Sequence, residues 1–281
     1  MDAGHLTYVE YSQTMTPTTL PTSSALEELL DILARLRHPV TGSPWEREQT
    51  YASIAPNTLE EAYEVVDAIR RDDMADLKSE LGDLLLQVVF HSQIAREGGH
   101  FTFNEVAQSI VDKIKSRLPH FFAGRDVTVD RQLADWEAIK QAERDSKGYS
   151  SVLDGIAITL PALVRAQKIQ SRVARVGFKW KTVSEVIGKI DEELDEVRQA
   201  VAENDPDHIT EELGDLLGSV AILCDRLNID AETALRNFNT KFETRFHHIE
   251  QRVTESGKRV ENVELDELLS YWREAKHLKS A

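Results

Sequence analysis

The string Glu-Leu-Gly-Asp-Leu-Leu stands at residues 80–85 and again, letter for letter, at residues 212–217. Upstream of each copy lies a Glu-Glu-x-x-Glu run, Glu60-Glu61-Ala62-Tyr63-Glu64 in the first and Glu192-Glu193-Leu194-Asp195-Glu196 in the second. The offset is 132 residues in both places (193 − 61 and 212 − 80). Residues three apart share one face of an α-helix. Glu193 therefore pairs with Glu196, and Glu212 with Asp215; Glu61 with Glu64 and Glu80 with Asp83 repeat the arrangement. A short connection, roughly residues 203–208, folds the second helix back antiparallel, so the two acid pairs can face each other. Four carboxylates brought together repel unless a cation sits among them. Hard divalent ions fill that role, and Mg²⁺ in particular takes oxygen ligands, waters and substrate phosphates.

An isolated acid pair on a helix is ordinarily a solvated face. Here the pairs fall on adjacent helices, occur twice, and are bordered by Leu81, Leu84 and Leu85 or their counterparts, which favours a metal site. Gly82 and Gly214 interrupt the acid pairs, although glycine inside a helix costs about 1 kcal/mol relative to alanine. They predict close approach of a partner helix or a phosphate. Other acidic-helix chemistries fit less well. The Glu-x-x-His pairs of a di-iron bundle are matched only by Glu97–His100 and Glu274–His277, neither of which recurs in the other copy. The run Asp72-Asp73-Met74-Ala75-Asp76 spells a diphosphate-binding pattern, but it lies in the inter-helix turn and its counterpart reads Asn204-Asp205-Pro206-Asp207-His208, so we read it as accidental. There is no Gly-rich phosphate loop and no Ser or Cys nucleophile in a recognisable setting. Phosphate contacts then fall to side chains. Lys241 and Arg245 share one helical face, and Lys189 lies one turn ahead of Glu192 and Glu193; singly, each base would pass for an ordinary salt-bridged residue. Trp180 and Trp272 could stack on a nucleobase; core burial is the expectation for Trp180.

The elements that must position these residues are helical. Apolar residues recur at helical spacing from Ala25 onward, as in Leu81, Leu84, Leu85, Val88, Val89 and Ala95, and in Leu213, Leu216, Leu217, Val220, Leu223 and Leu227. The fold class is all-α, with short extended pieces expected only around Phe121 to Val129. The repeat predicts two tandem domains, at 25–145 and 155–281, joined by a linker at 146–154 and preceded by a flexible tail at 1–24. The chain carries 33 Lys and Arg against 49 Asp and Glu, a formal charge of −16. That argues against a general nucleic-acid binder, which needs a basic face, and against binding anionic lipid. No apolar run reaches membrane length, the start lacks signal-peptide features, and Cys224 is the single cysteine, so a cytoplasmic location is expected.

Taken together, the doubled acidic motifs, Gly42-Ser43-Pro44-Trp45 and Gly177-Phe178-Lys179-Trp180, Ala166-Gln167-Lys168-Ile169-Gln170, and Lys241-Phe242-Glu243-Thr244-Arg245 resemble the tandem-domain MazG family. The resemblance implies two MazG-like helical domains, each a small antiparallel bundle completed by dimerisation, with a homodimer as the partner state. It implies a nucleoside triphosphate pyrophosphohydrolase that converts a triphosphate and water to the monophosphate and pyrophosphate, with metal-activated water attacking the α-phosphorus and broad tolerance of the base. Two Mg²⁺ per site are expected, with Mn²⁺ as a substitute. The implied metal ligands are Glu193, Glu196, Glu212 and Asp215, and in the first domain Glu61, Glu64, Glu80 and Asp83. Nucleotide contacts map to Lys189, Glu192, Lys241, Arg245 and Trp272, with Glu192 positioning or deprotonating the water. Asn57 occupies the place of Lys189 in the first domain, which directs the activity to the second. A narrower dUTP or dCTP pyrophosphatase and a non-catalytic acidic scaffold for a basic partner are the alternatives.

Overall fold

A computed structural model describes residues 24–278; the tail expected at 1–24 falls, but for Ser24, outside the described residues. All regular structure among the described residues is helical. In chain order the helices are α1 (Ser24–Leu36), α2 (Pro44–Glu48), α3 (Tyr51–Arg70), α4 (Met74–Glu97), α5 (Phe103–Arg117), α6 (Pro119–Phe122), α7 (Val129–Ser146), α8 (Ala162–Arg175), α9 (Val183–Glu203), α10 (Pro206–Arg226), α11 (Ala231–Glu255) and α12 (Leu265–His277), with a 3₁₀ turn at Val260–Asn262. The chain divides into two compact units between Ile139 and Lys140, inside α7. The extended pieces expected near Phe121 to Val129 do not form. Pro119 opens a helical turn there, a position where its missing N–H costs nothing, and Gly124 at φ 62° leads out of it.

The first unit is built on the α3–α4 hairpin, with α1 and α5 laid against α4. Leu33, Ile54, Val89 and Phe90 form its buried centre, packed by Leu26, Leu29, Leu30, Leu86, Ile94 and Phe103. The second unit repeats the hairpin as α9–α10, with α8 across α10 and α12 along α11. Its buried apolar residues are smaller: Val186, Ala200, Ala221, Ala231, Ile249, Val253 and Ala275.

The hairpin turns are specified by equivalent residues in both units. Asp72 (φ 54°) and Asn204 (φ 55°) take the left-handed conformation that short polar side chains tolerate. Asp73 and Asp205 then cap the next helix, each accepting two backbone N–H groups that the helix start leaves unpaired. The apparent diphosphate motif at 72–76 is therefore a turn and cap. Thr50 and Thr182, also 132 residues apart, each close a capping box at the start of the first hairpin helix.

In the first unit, Arg37 is only 8% exposed. Its Nε and Nη2 donate to Glu97 at 2.9 and 2.7 Å, and Nη1 donates to the carbonyls of Gln49 (3.1 Å) and Glu46. The guanidinium also sits 5.3 Å from the Phe90 ring centre. One side chain thus joins the α1 end, the α2 region and the α4 end. Partial burial pushes the Glu97 carboxyl up, but the Arg37 and Gln93 hydrogen bonds and the Arg37 charge outweigh it and hold Glu97 below its ordinary value of 4.5.

Much of the apolar stripe of the Glu-Leu-Gly-Asp-Leu-Leu helix stays uncovered within each unit. Val89 and Ala95 are buried, whereas Leu81, Leu85 and Val88 are exposed, as are Leu213, Leu217 and Val220 at the matching positions. The stripe is wider than the neighbouring helices of its own unit cover.

Replacing Arg37 with Met is expected to destabilise the first unit by about 2 kcal/mol at neutral pH, with allowance for screening at half-exposed Glu97. A carboxylate whose folded pKa is depressed contributes above its unfolded pKa and loses that contribution as pH falls through the folded value. The deficit should therefore be full above about pH 5 and shrink in acid, as read by denaturant unfolding at a series of pH values.

Candidate metal and nucleotide site

Helices α9 and α10 bring ligand oxygens of Glu193, Glu196 and Glu212 within 4.8 Å of one another, and α3 with α4 do the same for Glu61, Glu64 and Glu80. The fourth expected ligands, Asp215 and Asp83, stay outside these groups. Asp215 is exposed on α10, while Asp83 is half-buried and close enough to act electrostatically on Glu61 and Glu80. All the donors are hard oxygens at helical spacing, the set that Mg²⁺ or Mn²⁺ accepts.

The two groups manage their repulsion differently. In the second unit Lys189 reaches into the group, its Nζ 2.9 Å from Glu193 Oε1 and 2.8 Å from Glu192 Oε1. Glu193 is only 4% exposed, so this ammonium is the counter-charge of a buried carboxylate. Hydrogen bonds from the Lys189 ammonium to Glu192 and Glu193 raise its pKa further above the ordinary lysine value. Glu196 is raised by a hydrogen bond shared with Glu193, by partial burial and by the charges of Glu193 and Glu212, against the lowering pull of Lys189. In the first unit Asn57 stands in place of the lysine, and among the described residues no ammonium is recorded against the group. Desolvation first, then the neighbouring carboxylates, raise both Glu61 and Glu80. Gln87, buried where the second unit has Ser219, donates weakly to Glu61 Oε1 (3.4 Å) and leaves its own Oε1 buried without a hydrogen bond.

The remaining nucleotide-contact residues gather elsewhere in the unit, on α11 and α12. Arg245 lies 5.5 Å over the Trp272 ring, Phe242 packs on the same ring at 4.9 Å, and Lys241 sits on that helix 5.8 Å from the Phe238 ring. The first unit mirrors this with Arg117 5.2 Å over Trp136. An arginine over a tryptophan ring thus recurs in both units. Trp180, expected in the core, is 39% exposed, because it lies in the irregular segment before α9 rather than on a packed helix face. A Cβ built on Gly82 or Gly214 meets nothing within 4 Å, so neither glycine makes room for another part of its own unit.

Two residues of the second unit escaped the sequence reading. His208 lies 3.1 Å from Glu212 Oε1 and 3.2 Å from Glu203 Oε2. Burial depresses its pKa, but the two carboxylates prevail and raise it. Its i, i+4 spacing to Glu212 was a legible signal. Gln167 of α8 donates to the Ile229 carbonyl at 2.8 Å and accepts from the Ala231 N–H at 2.9 Å, fixing the start of α11; nothing local in the sequence marks that bridge.

Lys189→Met should lower the melting temperature of the chain in EDTA, because Glu193 loses its counter-charge, and added Mg²⁺ should close most of the gap. A melting temperature unchanged in EDTA would show that the ammonium contributes nothing to the ion-free state.

Comparison with known proteins places these features in context. The MazG nucleotide pyrophosphohydrolase domain matches the chain twice, at residues 49–122 and 181–250, each match spanning one acidic hairpin. A nucleoside triphosphate pyrophosphohydrolase from Escherichia coli strain K12 is 48% identical over 256 residues, 89% of this chain and 97% of that protein. The nucleoside triphosphate pyrophosphohydrolase/pyrophosphatase MazG of Thermotoga maritima is 42% identical over 252 residues, 89% of this chain and 95% of that one. A solved mazG-related protein from Thermotoga maritima is 26% identical, covers 41% of this chain and 98% of its own, and aligns with a TM-score of 0.37.

Proposed function

The chain belongs to the MazG nucleotide pyrophosphohydrolase family, and on that premise we propose that it is a Mg²⁺-dependent hydrolase of nucleoside triphosphates, releasing pyrophosphate and the monophosphate. The observation that carries the reading is the convergence of three carboxylates from two helices within 4.8 Å around a buried glutamate. Glu193, Glu196, Glu212 and Asp215 would hold the metal. Mg²⁺, when bound, supplies positive charge for the phosphate oxygens and lowers the pKa of water.

The chain's own residues account for the remainder. Lys189 already holds positive charge at the group and is placed to pair with a phosphate. Glu192 is the motif carboxylate outside the metal set; its exposed side chain and its bond to Lys189 suit it to orient the attacking water and accept its proton. Lys241 and Arg245 would neutralise the departing pyrophosphate. Trp272, held by the tilted Phe242 ring and by Arg245, offers an indole plane to a base, and stacking of that kind tolerates many bases.

The second unit carries the activity in this reading, because the first has Asn57 instead of the ammonium and Gln87 pressed against Glu61. Homodimerisation through the uncovered stripes accounts for Leu81, Leu85, Leu213 and Leu217 being exposed, an apolar area that soluble chains rarely leave to water. No described helix is long and apolar enough to cross a membrane.

Glu193→Ala should abolish pyrophosphate release from a panel of triphosphates, a loss exceeding the roughly 10–100-fold typical of removing an outer-shell metal partner. Glu61→Ala should leave turnover near normal. Equal losses would move the activity to both units, and turnover confined to dUTP or dCTP would replace the broad reading with a narrow one. Gly214→Ala should stabilise the isolated chain by about 0.5–1 kcal/mol, since the Cβ meets open space. The same change should reduce turnover or dimerisation if a phosphate or a second copy approaches there; a variant that is both more stable and fully active would remove the close-approach reading.

A further inference from the structure

The three glutamates of the second unit are steadied by different neighbours. On α9, Lys189 Nζ stands 2.9 Å from Glu193 Oε1, and Glu193 in turn shares a hydrogen bond with Glu196. Glu212 is the member of the group contributed by α10. Its Oε1 lies 3.1 Å from His208 Nε2, one turn earlier on the same helix. The imidazole is itself fixed on its far side, where Nδ1 lies 3.2 Å from Glu203 Oε2. Glu203 closes α9 and accepts from Gln199 Nε2 at 2.8 Å. The His208 backbone is pinned as well, its N–H donating to the capping Asp205 at 3.3 Å. A brace of Gln199, Glu203, His208 and Glu212 thus crosses the hairpin turn and ends on a carboxylate of the acidic group.

The residues 132 positions earlier are Asp67, Arg71, Asp76 and Glu80. They form a brace of opposite polarity, in which Arg71 donates to Asp67 at 2.9 Å and to Asp76. What then faces Glu80 is a like charge, which disfavours its ionisation. Holding the turn requires only that the brace be complementary along its length, and the first unit meets that need with the reverse order of charge. The second unit's order is the one that presents a ring nitrogen to the glutamate. Ordering a glutamate side chain costs rotamer freedom, and a neighbour that holds it beforehand removes that cost from ligand binding. Partners behind metal-binding groups act in this way.

We propose that His208 is a positioning residue of the second unit: held by Glu203, it orients Glu212 for the divalent ion. The proposal rests on the metal reading of the acidic group given above.

The test is direct binding of Mn²⁺ to the full chain without nucleotide, followed by electron paramagnetic resonance. The parent protein for the series carries Glu61→Gln/Glu80→Gln, which strips two carboxylates from the first unit's group so that the second dominates the signal. In that background His208→Ala should weaken Mn²⁺ binding about tenfold. Electrostatics alone would give the opposite sign, since losing a ring that carries positive charge favours a cation nearby; a loss therefore reports orientation. His208→Gln, which keeps a donor one turn from Glu212, should recover most of the affinity. Binding by His208→Ala that equals or exceeds the parent's overturns the role of His208 and leaves the metal reading intact. A loss that His208→Gln does not recover also overturns it, because the ring would then serve the fold of the turn. A parent that binds no Mn²⁺ overturns the metal reading and the proposal with it.

Discussion

Crowded negative charge is the constraint around which this molecule is organised. Each hairpin forces three glutamates into a space where full ionisation of all three is unfavourable. In the second hairpin Lys189 lends an ammonium to the nearly buried Glu193. In the first, which lacks that lysine, Glu61 and Glu80 hold their protons more tightly. The same backbone geometry thus yields two electrostatic states, and the difference traces to residue 57 against residue 189. A site that already tolerates a resident cation is suited to exchange it for a divalent one.

The fold serves this crowding by keeping the hairpin rigid. The paired left-handed residues Asp72 and Asn204, the caps at Asp73 and Asp205, and the capping boxes at Thr50 and Thr182 fix where each helix begins and turns. Around the first hairpin, Arg37 pins three segments to Glu97. Around the second, Gln167 bridges α8 to the start of α11 and so sets the helix that carries Lys241 and Arg245. These contacts touch no substrate group, yet they decide where the charged groups stand.

How much of this was legible in the sequence varied with the range of the interaction. Helical spacing and the letter-for-letter repeat were sufficient for the all-α hairpins and for the glutamate groups, because i, i+3 geometry is local. The placement of Trp180 was not, because burial depends on packing partners distant in the chain. The exposure of Asp215 and the bridge from Gln167 escaped for the same reason. Pro119 could have warned against extended structure near Phe121, since it opens helices as readily as it interrupts strands. The exposure of half the leucine stripe was hidden as well: periodicity marks an apolar face without saying how many neighbours will cover it.

That half-open stripe has a consequence for a duplicated chain. Leu81, Leu85 and Val88 present the same side chains in the same order as Leu213, Leu217 and Val220, so each greasy strip fits its sibling as well as it fits its own kind. If the strips pair as proposed, mispairing is a hazard written into the duplication itself. Under the homodimerisation proposed above, discrimination falls to positions where the copies have diverged, such as Tyr63 against Asp195, since an aromatic ring and a carboxylate do not accept the same neighbours.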